Sequence, residues 1–458
     1  MKKKHAFPKV LTALLLVVCV LMSLPVVSLA GGASSGGRLF DDVTGQYGFA
    51  DRLFNSTVKE NKNPDGYYWV FVNLDGRSLS DLHRESKSTL SLAEFAKTEE
   101  AAAAERDIRA EQQELLSRLG DTGIIYESKY AYTLFTNSVG VRVRYRDVKE
   151  ISSLTGVKSV TFSEHYAEPE AITTNNANVW STGIYKTEGI DFDGSGLVVA
   201  VLDTGLDSSH AAFRTMPEKP ALTKDMVAGR IFDGNYSAGL LRFDRTSTID
   251  DVYYNEKVPF AYDYADKDSV VYPSYSVHGT HVAGIIAGNL GDGADEYITD
   301  ADGNPILGKD DNPMTFSGVA PQAQLVICKV FTDREDSKSL GGAETVDILA
   351  ALEDCVKLGV DVINMSLGSS AGFSEGDDDL MINVYKSIRE NGISLVVAAS
   401  NDYSSAYGSR TGTNLTETPD SATVGSPSTF EEALSVASIS GQKSQYMLTS
   451  DGAAAVFF

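Results

Sequence analysis

Cysteine and cationic residues are both scarce in this chain, and each shortage narrows what the protein can be. Three of the 458 residues are cysteines, too few for the disulfide framework of a small exported domain. Cys19 lies in an apolar N-terminal run, whereas Cys328 and Cys355 are predicted to be two buried free thiols rather than a bridge. Lys and Arg number 39 against 63 Asp and Glu, a formal net charge of −24, which argues against nucleic acid as a partner.

Long hydrophobic runs are scarce too, and the one at the N-terminus predicts export. A basic start, MKKKHAFPKV, precedes 17 mainly apolar residues, 11–27, and the small-residue sequence SLA ends at Ala30. This is the pattern of a secretory signal peptide cleaved after Ala30, so we expect a secreted protein with no membrane attachment once the signal is removed. A membrane anchor is the alternative, although 17 residues are few for a span.

Residues 66–165 alternate between strand and helix patterns in the order β-α-β-β-α-β. Aromatic and β-branched residues predict a strand over 66–74, and an Ala/Glu-rich stretch predicts a helix that stops at Gly120. Two strands follow within 122–145, and a short helix and a last strand follow within 146–162. This order predicts a small ferredoxin-like α+β sandwich.

From about Ala167 onward the pattern changes to short apolar runs that alternate with helical stretches. The runs GLVVAVLDTG, AQLVICKVF, GVDVINMSLG and GISLVVAASND are short and nearly continuously apolar, and they end in or are followed by polar residues or glycine. Strands that are apolar on both faces and alternate with helices predict an α/β fold, a parallel sheet with helices on both faces. In such sheets functional residues gather at the carboxyl ends of the strands.

Three polar residues stand at such positions. Asp203 follows a buried run, His278 opens the small-residue helix HGTHVAGIIAG, and Asn401 ends SLVVAASN. Taken one at a time, each has a structural interpretation: a turn-capping aspartate, a packed histidine and a turn asparagine. Taken together, they fit an acid, a base and an oxyanion donor, and the positive end of the helix dipole favours the neutral imidazole that a base requires.

Two other chemistries fit parts of the same pattern. The tripeptide DTG at Asp203 also occurs in aspartic proteases, but these need a second carboxylate in a like setting, and no second DTG or DSG is present. His278 and His281 have a spacing that suits metal binding, but the glutamate of the H-E-x-x-H motif is replaced by Gly279.

The motifs VAVLDTGLD, HGTHVAGIIAG, GVAPQAQL, DVINMSLG and LVVAASN resemble, in order, the successive blocks of the subtilisin-like serine proteases. The stretch TPDSATVGSPSTFEEALSVAS is similar to the branch of cell-envelope proteinases and streptococcal peptidases. The chain order Asp, His, Ser is the order known for subtilisin. The resemblance implies hydrolysis of peptide bonds through an acyl-enzyme.

Roles for individual residues follow from the resemblance. Asp203 would orient His278, His278 would be the general base, and Asn401 would donate to the oxyanion. Substrate backbone would pair with the segment formed by Ser366, Leu367 and Gly368, and the pocket for the residue before the scissile bond would be walled by Ala398 and Ala399. His281 would be a packed structural neighbour.

The sequence departs from the family pattern at two places. Ser400 stands where the family usually has glycine before the asparagine. No GTSMA-like block, which would hold the nucleophilic serine, occurs between Asn401 and Phe458. We therefore expect a fragment that lacks the nucleophile and is inactive as it stands.

The resemblance also implies a domain organisation. Residues 1–30 would be the signal, and residues 31–168 a propeptide, ordered over about 66–165, that assists folding and inhibits the protease. Residues 169–458 would be the N-terminal part of the peptidase domain, ending near an inserted protease-associated domain.

Partners and alternatives complete the expectations. We expect a peptide or protein substrate, an extracellular location with cell-wall attachment through further sequence, and no required cofactor. The resemblance allows structural calcium, for which the oxygen-rich sequence DADGN at 300–304 is a candidate, although a solvated acidic loop is the favoured explanation. A secreted pseudoprotease that only binds peptides and a metal-dependent hydrolase at His278 and His281 remain as alternatives.

Overall fold

Two sheets of different type organise the part of the chain that the computed structural model describes. The described residues all belong to one compact unit, Thr44–Phe458. Segment 1–30, where the signal peptide is predicted, lies outside them. The described residues are 63–166, 192–231, 248–290, 304–305, 317–333, 342–369, 380–401 and 424–437, with the backbone of 446–448 and 454–456.

The first sheet is antiparallel, four-stranded and backed by helices. Its strand order is β2-β3-β1-β4, and Val70 of β1 lies opposite Val141 of β3. The β-α-β-β-α-β succession predicted for 66–165 is therefore present. Its elements are β1 (Tyr67–Leu74), α1 (Leu79–Ser86), α2 (Leu92–Phe95), α3 (Glu99–Asp121), β2 (Glu127–Tyr132), β3 (Ser138–Arg144), α4 (Val148–Ile151) and β4 (Val157–Phe162).

The helical stretch before Gly120 is divided into two helices rather than one, because two capping residues interrupt it. The Ser91 side chain accepts from the backbone N–H of Glu94 and starts α2, and the Thr98 side chain accepts from that of Ala101 and starts α3. Each hydroxyl satisfies an N–H group that has no partner within its own helix.

The second sheet is parallel and six-stranded, with the order β13-β12-β11-β6-β8-β7. Every residue of the central strands β6 and β8 is buried, as expected for a sheet covered on both faces. This confirms the predicted α/β class. The short strands β7 and β13 were not predicted. The strands are β6 (Val198–Asp203), β7 (Phe260–Asp263), β8 (Gln324–Lys329), β11 (Val362–Met365), β12 (Ser394–Ala398) and β13 (Leu434–Val436).

Among the described residues, four helices accompany the parallel sheet, and one of them also packs against the antiparallel sheet. They are α5 (Lys224–Ile231), α6 (His278–Ala287), α7 (Thr345–Leu358) and α8 (Leu380–Glu390). All residues of α7 are buried, because it lies between the two sheets. Phe71 and Tyr132 of the antiparallel sheet share one apolar cluster with Val346 of α7 and Ile363 of the parallel sheet.

A small three-stranded sheet links the antiparallel region, residues 63–162, to the parallel region, residues 192–437. Its order is β5-β10-β9, and it consists of β5 (His165–Tyr166), β10 (Gly342–Glu344) and β9 (Phe331–Thr332). Tyr166 lies opposite Ala343 in an antiparallel pair. After the antiparallel region, the chain therefore pairs as β5 with β10, the strand that directly precedes α7. A separate antiparallel pair joins β14 (Tyr446–Leu448) and β15 (Ala454–Val456).

The two cysteines after the N-terminal run are free and buried, as predicted. The sulfur atoms of Cys328, on β8, and Cys355, on α7, lie 3.7 Å apart. Burial raises the pKa of the Cys328 thiol well above its usual value, and the neighbouring Cys355 adds to the shift. A thiol that stays protonated reacts slowly, so Cys328 should be inert in the folded chain.

Among the described residues, no helix combines the length and the hydropathy needed to cross a bilayer. The apolar run 11–27, which the sequence marks as a signal or an anchor, is not among those residues.

Candidate active site

The candidate site lies at the carboxyl ends of β6 and β11, two neighbouring strands of the parallel sheet. The strands that follow each of them in the chain are added on opposite sides of this pair. From the central strand β6 the chain continues to β7 and β8 on one side, then returns to place β11 on the other. Such a change of direction opens a crevice at the carboxyl ends of the strands. Asp203 is the last residue of β6, and Ser366 directly follows β11.

Asp203 and His278 are in direct contact at this edge. Asp203 Oδ1 lies 2.7 Å from His278 Nδ1. The Asp203 side chain is 1% exposed and that of His278 is 12% exposed. Because an ionised carboxylate only accepts hydrogen bonds, the Nδ1 atom must carry the proton. Nε2 is then the ring nitrogen that can take a proton from another group.

Thr204 holds both members of this pair. Its backbone N–H donates to Asp203 Oδ1 over 2.7 Å, so that one oxygen accepts from both Thr204 and His278. The Thr204 hydroxyl donates to the carbonyl of Ser276 and accepts from the N–H of Gly279, each over 2.9 Å. We did not predict a role for Thr204 from the sequence. Its place inside the DTG motif was the signal available.

Glycines allow the strand end and the helix start to come this close. A Cβ atom on Gly279 would lie 2.3 Å from the carbonyl oxygen of Gly205. Gly205 has φ of +110°, and a Cβ atom there would lie 2.2 Å from the carbonyl oxygen of Val271. A larger residue at Gly279 would push the start of α6, and His278 with it, away from the end of β6, and one at Gly205 would clash with the backbone at Val271.

His281 does not lie where we predicted. The side chain is exposed, so the expectation of a packed structural neighbour is wrong. The helix buries Gly279, Ala283, Gly284 and Ala287 against the sheet. Because 3.6 residues make one turn, His281 falls on the opposite face.

Asn401 lies just beyond the end of β12, and it is exposed. Ser400 before it has φ of +114°, a conformation that favours glycine. The backbone therefore adopts a conformation that glycine takes readily, although a serine occupies the position. Ala398 and Ala399 are partly buried, and the Ala399 carbonyl accepts from the N–H of Gly425.

The segment after β11 is extended and packs against 425–426. Leu367 is buried, and Ser366 and Gly368 are partly buried. A Cβ atom on Gly368 would lie 2.7 Å from the Ser426 carbonyl oxygen, and the N–H of Ser369 donates to that oxygen. The structure therefore brings this segment to the same edge of the sheet as Ala399 and Asn401.

A buried ion cluster lies beside the Asp203–His278 pair. Lys329, opposite Asp203 in the sheet, donates to Asp263 over 2.5 Å and to Asp333 over 2.7 Å. Burial raises the pKa of Asp263 to about 7, although the Lys329 ammonium opposes the shift. Burial favours the neutral form of Lys329 and so lowers its pKa. The carboxylates of Asp263 and Asp333 favour the charged form more strongly, and the pKa of Lys329 is raised.

A metal centre at the two histidines finds no support in the residues that the structure describes. No group of three His, Cys, Asp or Glu side chains there is arranged to hold an ion. Most of the DADGN sequence, residues 300–303, lies outside the described residues, so structural calcium stays a prediction.

Fold and site together define the class of this protein. It is an α/β protein whose central sheet presents a carboxylate–imidazole pair at its carboxyl edge, the arrangement by which hydrolases activate a nucleophile. The model of the subtilase family matches residues 194–456, more than half of the chain. The chain therefore belongs to the subtilase family.

Curated relatives agree with this assignment. The chain is 32% identical to the PIII-type proteinase of Lactococcus lactis subsp. cremoris over 386 residues, 82% of this chain and 17% of that protein. It is 30% identical to a C5a peptidase of Streptococcus pyogenes over 258 residues, 55% of this chain and 18% of that protein. The predicted branch is thereby confirmed, and the chain spans less than a fifth of the length of these relatives.

Among solved structures, fervidolysin from Fervidobacterium pennivorans, a keratinolytic enzyme related to subtilisin, is similar to this chain with 16% identity and a TM-score of 0.41. That similarity covers 74% of this chain and 41% of fervidolysin.

Proposed function

We propose that this chain is the N-terminal part of an extracellular serine endopeptidase precursor. The observation that carries the proposal is the contact between Asp203 and His278, 2.7 Å long, at the crevice of a subtilase sheet. We infer that the nucleophilic serine is supplied by sequence beyond Phe458 in the complete protein. The chain by itself would then be inactive.

The geometry supports one assignment of roles. Asp203 keeps the proton of His278 on Nδ1 and stabilises the imidazolium that forms. Nε2 takes the proton of the serine and passes it to the leaving amine. Strand β12 lies two positions from β6 in the sheet, about 10 Å away, which supports a role for Asn401 on the other side of the crevice. Its amide donates to the oxyanion.

Substrate binding is proposed for the segments that line the same edge. The backbone of Ser366, Leu367 and Gly368 would pair with the substrate as an added strand, which binds peptides with little dependence on sequence. Ala398 and Ala399 would form one wall of the pocket for the residue before the scissile bond. Their small side chains leave room for a bulky apolar residue there.

We also propose that residues 31–168 form the propeptide. Three backbone N–H groups of the antiparallel region, those of Thr133, Leu134 and Phe135, donate to the Glu353 carboxylate on α7. Lys129 forms an ion pair of 2.6 Å with Asp347 on the same helix. These contacts, and the pairing of β5 with β10, support a folding template that occupies one side of the peptidase region.

The test uses the complete protein, with the sequence that follows Phe458 in its gene. A fluorophosphonate probe, which reacts with activated serines, should label it covalently, and the variant His278→Ala should lose the labelling. The matched control is His281→Ala, on the exposed face of the same helix, which should be labelled like the wild type. Absence of labelling in the wild-type protein would defeat the proposal, and loss of activity on chelation with the fold intact would favour metal chemistry.

Processing and location are tested on the same material. N-terminal sequencing of the protein recovered outside the cell should find a start after about residue 168. A protein that remains in the cell with its first 30 residues attached would contradict export.

A further inference from the structure

We propose that Thr204 is a positioning residue that fixes the His278 ring against Asp203 by capping helix α6 from another element. This inference rests on the proposed function, because it concerns the same pair of residues. It assigns to one buried side chain the orientation of both partners.

The start of α6 is capped only weakly by the residues just before it, where the His278 N–H donates to the Ser276 hydroxyl over 3.4 Å. The N-cap position is Val277, which has no side-chain hydrogen bond to offer. The first N–H groups of a helix have no partner within it, and when buried they need an acceptor from elsewhere. Gly279 is buried, and its N–H finds that acceptor in the Thr204 hydroxyl, 2.9 Å away. Thr204, directly after β6, therefore provides the hydrogen-bond acceptor that an N-cap residue normally provides.

The same hydroxyl also holds the chain before the histidine. It donates to the carbonyl oxygen of Ser276 over 2.9 Å, while it accepts from Gly279. The two peptide groups lie on either side of His278 in the chain, so a single oxygen atom fixes the backbone on both sides. Thr204 is 3% exposed, and water does not readily replace either bond.

The backbone of Thr204 fixes the other partner. Its N–H donates to Asp203 Oδ1, which is the atom that receives the His278 proton. Asp203 Oδ2 has no hydrogen-bond partner among the described residues. Rotation of the carboxylate is therefore opposed mainly at Oδ1, by Thr204 and His278.

A nearby threonine separates positioning from general stabilisation. Thr280, also in the first turn of α6, accepts from the N–H of Asp207 over 2.8 Å. This bond joins the same two segments of chain, but it does not involve the peptide groups beside His278. Thr280→Val thus removes a comparable hydroxyl without releasing the ring.

The experiment follows the Nδ1 proton of His278 by proton NMR in the 458-residue chain. A proton shared between imidazole and a buried carboxylate resonates far downfield, and Asp203→Asn should abolish this signal and so identify it. Thr204→Val, which keeps size and backbone but removes the hydroxyl, should broaden or abolish the signal. Thr204→Ser, which keeps the hydroxyl, and Thr280→Val should both retain it.

Amide hydrogen exchange provides a second measurement, and its first result comes from the wild-type protein alone. The N–H of Gly279 should be protected in the wild type, and Thr204→Ser should preserve the protection. In Thr204→Val its exchange should be about tenfold faster, the factor that corresponds to one lost hydrogen bond. Rapid exchange of Gly279 in the wild type would overturn the proposal even if Thr204→Val failed to fold.

Two further results would overturn it. One is an unchanged downfield signal in Thr204→Val, and the other is equal loss of the signal in Thr204→Val and Thr280→Val. Failure of the proposed function would look different, because a complete protein without serine labelling can still show the downfield proton and its response to Thr204→Val.

Discussion

The antiparallel region and the parallel region bury their apolar surface in different ways. The parallel region has strands buried along their whole length, such as β6 and β8, and a cluster of its own around Val201 and Ile327. The antiparallel region has its own cluster around Val72 and Leu115, but its other face is completed by α7. One region thus has its site at an edge of its own sheet, whereas the other depends on a neighbour for one of its faces.

The polar contacts follow the same division. The pair Asp203–His278 lies within the parallel region, while the carboxylates of Asp347 and Glu353 on α7 are buried against the antiparallel region. Buried carboxylates are costly without partners, and these two obtain theirs from Lys129 and from the backbone near Leu134. The comparison indicates that the candidate catalytic residues lie in the parallel region. Residues of α7 hold the two regions together. Four experiments test this, from the largest expected effect to the smallest.

The largest effect is expected at the pair itself. In the complete protein, Asp203→Asn should reduce kcat by about 10⁴-fold, because the amide stabilises the wrong imidazole tautomer. Peptide hydrolysis measures the loss. The midpoint of denaturant unfolding of the 458-residue chain should change little, since the contacts of α7 are untouched. A variant with full activity, or one whose two regions separate, would break the division between chemistry and association.

The next effect is expected at Glu353. Replacing it by alanine leaves three buried N–H groups without their acceptor, and the free energy of unfolding should fall by about 4 kcal/mol. Denaturant titration of the 458-residue chain measures it. The exposed Glu390 on α8 offers a matched control, and Glu390→Ala should cost less than about 0.5 kcal/mol. Equal effects in the two variants would refute a specific contact.

A smaller effect is expected from pH. Burial raises the pKa of Asp347 to about 7, with Lys129 opposing the shift. A carboxyl whose pKa is higher in the folded state favours folding when protonated, so its penalty is full above pH 7 and fades as the pH falls toward 4. As the pH falls from 7 to 4, the free energy of unfolding should therefore rise by about 2 kcal/mol because of Asp347. This figure allows for the loss of its ion pair with Lys129.

Unfolding titrations at several pH values test this. Asp347→Asn should flatten the profile, and the part that remains should come from Asp263, whose pKa burial also raises to about 7. The exposed Asp225 on α5 is the control, and Asp225→Asn should keep the wild-type slope. An unchanged slope in Asp347→Asn would show that this carboxyl does not titrate between pH 4 and 7.

The smallest effect concerns backbone strain. Ser400 has φ of +114°, so Ser400→Gly should raise the free energy of unfolding by about 1 kcal/mol. The reverse change in the other region is Gly123→Ser, at φ of +78° with open space around the new Cβ atom. It should cost a similar amount. Opposite signs are the expected result, and a loss of stability in Ser400→Gly would show that the serine side chain contributes more than the strain costs.

Much of the fold could be predicted from the sequence. Apolar runs ending at Asp203 and near Asn401 mark parallel strands because both faces of such strands are buried. The small residues after His278 predict a helix that packs closely on a sheet. Periodicity and composition act over a few residues, so they are readable without knowing the fold.

Other features escaped because they depend on partners far away in the chain. The exposure of His281 depends on which face of α6 meets the sheet. The capping hydroxyl of Thr204 lies 75 residues before Gly279, and no local pattern joins the two. The short strands β7 and β13 have only four and three residues, too few for a periodic signal.

The amino-acid sequence alone determined where strands and helices form and which residue types stand at the ends of β6, β12 and the start of α6. The tertiary structure alone decided that Asp203 and His278 touch and that a threonine fixes them. It also decided that α7 is buried on all sides, with Lys129 beside Asp347, 218 residues apart. The physical reason is range: backbone preference and hydrophobic period are local, whereas burial, ion pairing and capping between elements exist only once distant segments have packed together.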